Sequence, residues 1–282
     1  MTHPIYPCIW FDNQAKEAAE FYCSIFSNSR ITEDNPMVTR FESSGQKFMC
    51  LNGGPQFTPN ASISFFVVCD DEAECDAAWN KLSEGGNVLM PLDKYDWSDK
   101  YGWIQDKFGV SWQLSIGKLE DVGQKFTPSF LFVKEQNGNA EKAIETYTSI
   151  FKGSSVVGIM RYGSDRDEPE NNIAHAQFHL GNNVFMAMDS SLDHNFNFNE
   201  GISLVVECDT QEEIDYYWEK LSEEGEESMC GWLKDRYGVS WQIVPKILGK
   251  LMQDPEKSQA VIKAFMQMRK FDIEKLLHAH ES

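Results

Sequence analysis

The chain has 282 residues, with 44 Asp and Glu against 25 Lys and Arg for a formal net charge of -19, and it carries 19 Phe and 8 Trp. That length provides for two compact domains of roughly 100 to 150 residues, the aromatic content excludes a disordered chain, and the acidic balance disfavours nucleic acid and anionic membrane surfaces as partners. No apolar stretch approaches the roughly 20 residues that cross a bilayer, and the start lacks the charged and apolar regions of a signal peptide, so a soluble cytoplasmic protein is expected.

The opening run Pro7-Cys8-Ile9-Trp10-Phe11 reads as a strand. Apolar positions 15, 18, 19, 22, 25 and 26 then make one helical stripe over Ala15 to Phe26, with Asp12 and Asn13 as caps. Strands are expected over Met37 to Glu42 and Lys47 to Leu51, on either side of Ser44-Gly45. Another strand, Ile63 to Val68, precedes a helix with Cys75, Ala78, Trp79 and Leu82 on one side and Gly85-Gly86 as its stop. After a turn at Phe108-Gly109, fixed by Asp106, the closing strand turns Val110, Trp112 and Leu114 to the core and Ser111, Gln113 and Ser115 to the opposite face.

From there the chain repeats itself. Gly102-Trp103 and Gly109-Val110-Ser111-Trp112-Gln113 return 129 residues later as Gly231-Trp232 and Gly238-Val239-Ser240-Trp241-Gln242, with Asp235 in the place of Asp106. Ile63 to Asp70 returns as Ile202 to Asp209 at an offset of 139, so the first copy has a longer connection around Met90 to Lys100, where Tyr95 and Trp97 suit a lid. Phe21 to Phe26 pairs with Thr146 to Phe151, and Thr210 with Glu213 is a capping box. The expected fold is α+β, with two similar domains at 1–120 and 126–250, each of two βαβββ modules. A helical extension at 251–282 opens with Asp254-Pro255 and covers a sheet or interdomain surface, with a dimerisation arm as the alternative. Cys8, Cys50 and Cys69 lie in strand-like apolar runs as buried thiols, and no disulfide framework is implied by the seven cysteines.

Pro7 to Phe11, Phe21-Tyr22, Ile25-Phe26, Gly45 to Gly54 and the two Gly-Trp and Gly-Val-Ser-Trp-Gln segments resemble the PhnB-like branch of the vicinal oxygen chelate superfamily, which has the glyoxalase, bleomycin-resistance and extradiol-dioxygenase fold. The resemblance runs from Ile5 to Pro245 and implies tandem glyoxalase-like domains. It also brings the label 3-demethylubiquinone-9 3-methyltransferase. The residues do not support methyl transfer: Asn52-Gly53-Gly54 follows a strand but leads to Pro55-Gln56-Phe57, which is a turn and not the helix of a cofactor-binding motif.

Catalytic members of that superfamily hold a divalent metal with His and Glu on the concave sheet. The matching positions here are Pro7, Ser62 and Gln113 in the first domain, and the vicinity of Pro128, Gly201 and Gln242 in the second, none of them a His or Glu. His3 and Asp12 stay open through a shift of alignment. His175 and His179 share a strand face about 13 Å apart, too far for one metal. Glu42, Asp189 and Glu207 are the strand carboxylates nearest the expected cleft.

The expected site is therefore a cleft for a small organic or aromatic ligand without a cofactor, drawn from Trp10, Asn52, Phe57, Ser62, Trp97, Trp103, Ser111, Gln113, His175, His179 and Gln242. Catalysis is left open. The alternatives are a metal-assisted lyase or dioxygenase-type enzyme with displaced ligands and a scaffold that binds a partner, and a homodimer stays open.

Overall fold

The computed structural model describes residues 4–164, 167–254 and 256–281, and the chain forms two compact units. Residues 7–202 make the larger one, and residues 203–282 with the chain start through Tyr6 make the smaller. His3 and Pro255, both singled out from sequence, lie outside the described residues.

In chain order the larger unit takes up β1 (Ile5–Phe11), whose first residues belong to the smaller unit, then α1 (Ala15–Ile25), β2 (Ser29–Asp34), β3 (Val38–Ser43) and β4 (Gln46–Asn52). A second module follows as β5 (Ile63–Cys69), α2 (Glu72–Leu82), β6 (Asn87–Tyr95), β7 (Ser98–Gln105) and β8 (Ser111–Ile116). After α3 (Leu119–Val122) the third module is β9 (Phe126–Phe132), α4 (Ala140–Ile150), β10 (Ser155–Arg161), β11 (Ile173–Leu180) and β12 (Asn183–Asp189). Each module has the expected βαβββ order.

The sheet and the repeat divide the chain differently. β5 pairs antiparallel with β9, so the second and third modules form one eight-stranded sheet, β10-β11-β12-β9-β5-β8-β7-β6, across the 121–125 junction. The first module keeps its own order, β1-β4-β3-β2. Helix α1 packs an aromatic core that unites the first two modules: Tyr22 lies 5.1 Å from Trp112, Trp112 lies 5.1 Å from Phe65, and Phe65 lies 5.6 Å from Phe48. Trp112 belongs to the core, as alternation predicts.

Neither Asp12 nor Asn13 caps α1. Gln14 occupies the cap position without a side-chain bond, and the first turn is satisfied from a distance by Asn52, whose Oδ1 accepts from the Ala15 N–H at 2.9 Å. Local patterning finds the start of the helix but not a cap supplied by another strand. Asp106 does what its position suggests. Its Oδ1 accepts from the Phe108 and Val110 N–H groups, and its Oδ2 accepts from Tyr22 OH and Trp112 Nε1.

The smaller unit contains β13 (Ile202–Cys208), which starts at its boundary, α5 (Gln211–Ser222), β14 (Glu226–Glu227), β15 (Trp232–Lys234) and β16 (Ser240–Pro245). Thr210 and Glu213 make the expected capping box at α5. Asp235 repeats the carboxylate turn, with Oδ1 accepting from Tyr237 and Val239 N–H and Oδ2 from Trp241 Nε1. Helices α6 (Leu248–Leu251), α7 (Ser258–Phe265) and α8 (Ile273–Glu281) form the extension. Its segment 268–271 lies beside β15: the Cys230 and Gly231 N–H groups donate to the Met268 and Arg269 carbonyls, and Gln211 of α5 bonds both Phe271 O and Ile273 N. Among the described residues no helix is long and apolar enough to cross a membrane.

Candidate functional site

Strand alternation gives the eight-stranded sheet one face of large apolar groups and one on which polar side chains stand among apolar ones. Registers bring Gln113 opposite Phe66 and Trp103, Phe66 opposite Thr127, and Ser64 opposite both Ser111 and Ser129. Farther along, Met186 is opposite Ser129, Gln177 opposite Met186, and His179 opposite Val184. Strands β5, β8, β9, β11 and β12 thus contribute no charged side chain to this face.

At its centre Gln113 is held in one orientation. Tyr101 OH donates to Gln113 Oε1 at 2.7 Å, and Gln113 Nε2 donates to Ser64 Oγ at 2.7 Å. An amide has two N–H groups and two carbonyl lone pairs, so one donor and one acceptor remain after these bonds. Beside it Trp103 Nε1 donates to Ser111 Oγ at 2.6 Å. The Thr127 hydroxyl, beyond Phe66 in the same row, is buried without a hydrogen-bond partner among the described residues, a condition that costs free energy unless water or ligand relieves it.

The burial runs from floor to rim: Ser64, Ser111 and Gln113 are buried, Trp103 is half-buried, and Trp97 is 56% exposed. Trp97 stacks on Tyr95 at 4.9 Å and meets Tyr101 edge-on at 5.9 Å, which links the rim to the residue that orients Gln113. Burial raises the Tyr101 phenol well above its ordinary range, so it remains a neutral donor.

The expected residues separate into groups. Trp103 is on β7 and Ser111 and Gln113 are on β8, with Ser62 just before β5 and Trp97 in the turn between β6 and β7, whereas His175 and His179 are on β11 of the same face. Burial lowers the His175 pKa and favours its neutral form. Trp10 and Phe57 form a different cluster. The Trp10 Nε1 donates to Gly54 O, its ring lies so close to Gly53 that a Cβ there would come within 2.2 Å, and Phe57 meets it edge-on at 5.1 Å. They do not join Trp103 because β1 pairs with β4 in the first module's sheet, while β5 pairs with β8 and β9. Asn52 is turned to the start of α1 and to Pro36 O, so it acts as a cap.

Gln242 belongs to the smaller unit, where its Nε2 donates to Ser203 Oγ at 2.9 Å. The strand carboxylates have structural partners: Asp189 accepts from the Gly138, Ala140 and Ile173 N–H groups, Glu207 from Tyr6 OH, and Glu42 pairs with Arg30. Asp12 accepts from Asn13 Nδ2 in solvent. Among the described residues no three His, Cys, Asp or Glu groups gather as for a metal. Sequence reading missed Tyr101, Ser64 and Thr127. Tyr101 was reachable by alternation from Trp103, but the other two needed the β5–β8 and β5–β9 registers.

The chain matches the family model described as 3-demethylubiquinone-9 3-methyltransferase over residues 3–115 and 124–244. No curated protein matches it. Among solved structures, a protein described as "Putative 3-demethylubiquinone-9 3-methyltransferase, PhnB protein" from Bacillus cereus is 36% identical over 40% of this chain and 98% of its own, with a TM-score of 0.37. A Staphylococcus aureus protein is 32% identical over 42% of this chain and all of its own (100%), with a TM-score of 0.19. Glyoxalase I from Zea mays is 11% identical over 90% of this chain and 97% of its own, with a TM-score of 0.57, a likeness of fold.

Proposed function

We propose that this chain, which belongs to the 3-demethylubiquinone-9 3-methyltransferase family and has the glyoxalase fold, binds a small neutral aromatic molecule on the polar face of its eight-stranded sheet. The observation that carries this reading is Gln113, held between Tyr101 and Ser64 with one donor and one acceptor to spare, on a face to which β5, β8 and β9 offer no charge. An ionised ligand would lose its hydration without gaining a counter-charge. A neutral ring with a hydroxyl or amide would gain aromatic contact from Trp97 and Trp103 and hydrogen bonds from Gln113 and Ser111. The Tyr95 and Trp97 rings serve as the lid of this site.

The methyl transfer in the family's name draws no support from Asn52-Gly53-Gly54, where the glycines pack on Trp10 and a turn follows. The metal-assisted alternative would need carboxylate donors beside Gln113, where β5, β8 and β9 present none. Cytoplasmic location, and binding without nucleic acid as a partner, belong to the same proposal and fit the acidic charge.

Isothermal titration calorimetry with three probes of one ring system tests it: 2-naphthol, 2-naphthoate and 2-naphthylmethylammonium. The neutral probe should bind at least tenfold more tightly than either ion, and Gln113→Leu should remove that preference. Equal binding of all three, or no loss in the variant, refutes the proposal.

A further inference from the structure

The other end of the same face carries a different chemistry. Met160 on β10 is directly opposite His175 on β11. The ladder of β11 with β12 runs through Gln177 opposite Met186 and ends at Ala176 opposite Ala187, and continuing it by one residue sets His175 opposite Met188. Directly opposed residues on neighbouring strands share a face, with Cβ atoms about 4.5 to 5.5 Å apart. Met160, His175 and Met188 therefore form one row, two thioethers with an imidazole between them.

We propose that the Met160–His175–Met188 row is a binding site for a soft monovalent cation, copper(I) being the physiological case. Thioether and imidazole donors suit such an ion, whereas magnesium, calcium and manganese require the oxygen ligands that are missing here. The site differs from the divalent centre that His and Glu would make. It also lies apart from Gln113, because β11 and β8 are separated by three intervening strands, which places them roughly 19 Å apart across the sheet.

Three further observations support it. His175 has no hydrogen-bond partner among the described residues, so neither ring nitrogen is committed to the protein. Met160 is 58% exposed on an edge strand, where it gains little from burial, and a register shift lies beside it between Met160 and Arg161. Such irregularities re-aim side chains, and the flexible arm of a methionine can swing its sulfur toward the neighbouring imidazole. The net charge of -19 raises the local concentration of any cation.

Cys23 and Cys230 are the two thiols that are not buried, and they would compete for the probe. The experiment therefore uses the full chain carrying Cys23→Ser and Cys230→Ser, titrated with copper(I) against a chromophoric chelator without oxygen. One copper(I) per chain is expected, with at least tenfold weaker retention in Met160→Leu, Met188→Leu and His175→Gln, and no change in Met37→Leu, an exposed methionine outside the row. No retained copper, or equal retention in all variants, overturns the proposal. Should a variant fail to fold, silver(I) added to the chain carrying only Cys23→Ser and Cys230→Ser provides the second readout by methionine-methyl NMR. The Met160 and Met188 methyl signals should shift at one equivalent, and their failure to shift contradicts the site.

Discussion

The second and fourth modules share a scaffold and differ at its edge. In each, a buried Asp holds a turn and a core Trp, through Asp106 with Trp112 and Asp235 with Trp241. In each, the closing-strand Gln donates to a serine, Ser64 or Ser203. The second module then extends β6 and β7 to nine and eight residues and places Tyr95, Trp97, Tyr101 and Trp103 there. The fourth has strands of two and three residues, with the C-terminal extension beside them. Where Tyr101 orients Gln113, the repeat has Cys230, whose N–H donates to Met268 O. What the copies share maintains the fold, and what only the second module has is what the proposed ligand site draws on.

The largest expected effect strikes both modules alike. Asp106→Ala and Asp235→Ala each leave several buried donors without an acceptor, at a cost of about 1 to 3 kcal/mol for each such group. Urea denaturation should show a loss of at least about 3 kcal/mol for either variant; a large loss in only one would break the equivalence. Gly231→Ala is next. Its φ is +80°, and a Cβ would stand 2.5 Å from the Phe271 ring and 2.7 Å from Ile243 O. It should cost about 2 kcal/mol, and adding Phe271→Ala should relieve the ring clash but not the carbonyl clash, a partial rescue readable by the same denaturation.

Trp97→Ala separates binding from folding. The exposed ring contributes little to the core, so stability should change by less than about 0.5 kcal/mol while calorimetry shows 2-naphthol affinity falling about tenfold, equivalent to 1.4 kcal/mol. Trp232→Ala in the fourth module should leave that affinity unchanged. The smallest effect concerns pH. His175 has a folded-state pKa below its unfolded value of about 6.5, so the unfolded chain binds more protons as pH drops below that value. Its contribution to stability is present above about pH 6.5 and declines as pH falls toward the folded pKa. Replacing it by Gln should flatten that part of the stability profile between pH 7.5 and 5.

Much of this scaffold was legible in the sequence because it is local and repeated. The four βαβββ modules, the Asp turns, the capping box at Thr210 and the inward Trp112 and Trp241 all follow from short-range patterning. The site was legible only in part. Alternation along a single strand turns Ser111 and Gln113 to one face, but their grouping with Trp103, Trp10 and Asn52 presupposed pairing within one repeat. The β5–β9 ladder joins separate repeats, and such nonlocal register leaves no local mark. For the same reason Asn52 read as a cleft residue and not as the cap of α1.

The most direct test of the central claim compares the two closing-strand glutamines by side-chain amide NMR as 2-naphthol is added. The account predicts that the Gln113 amide signals shift and saturate while those of Gln242 remain in place. Equal shifts at both, or a shift at Gln242 alone, would contradict the assignment of ligand binding to the module that carries the aromatic hairpin.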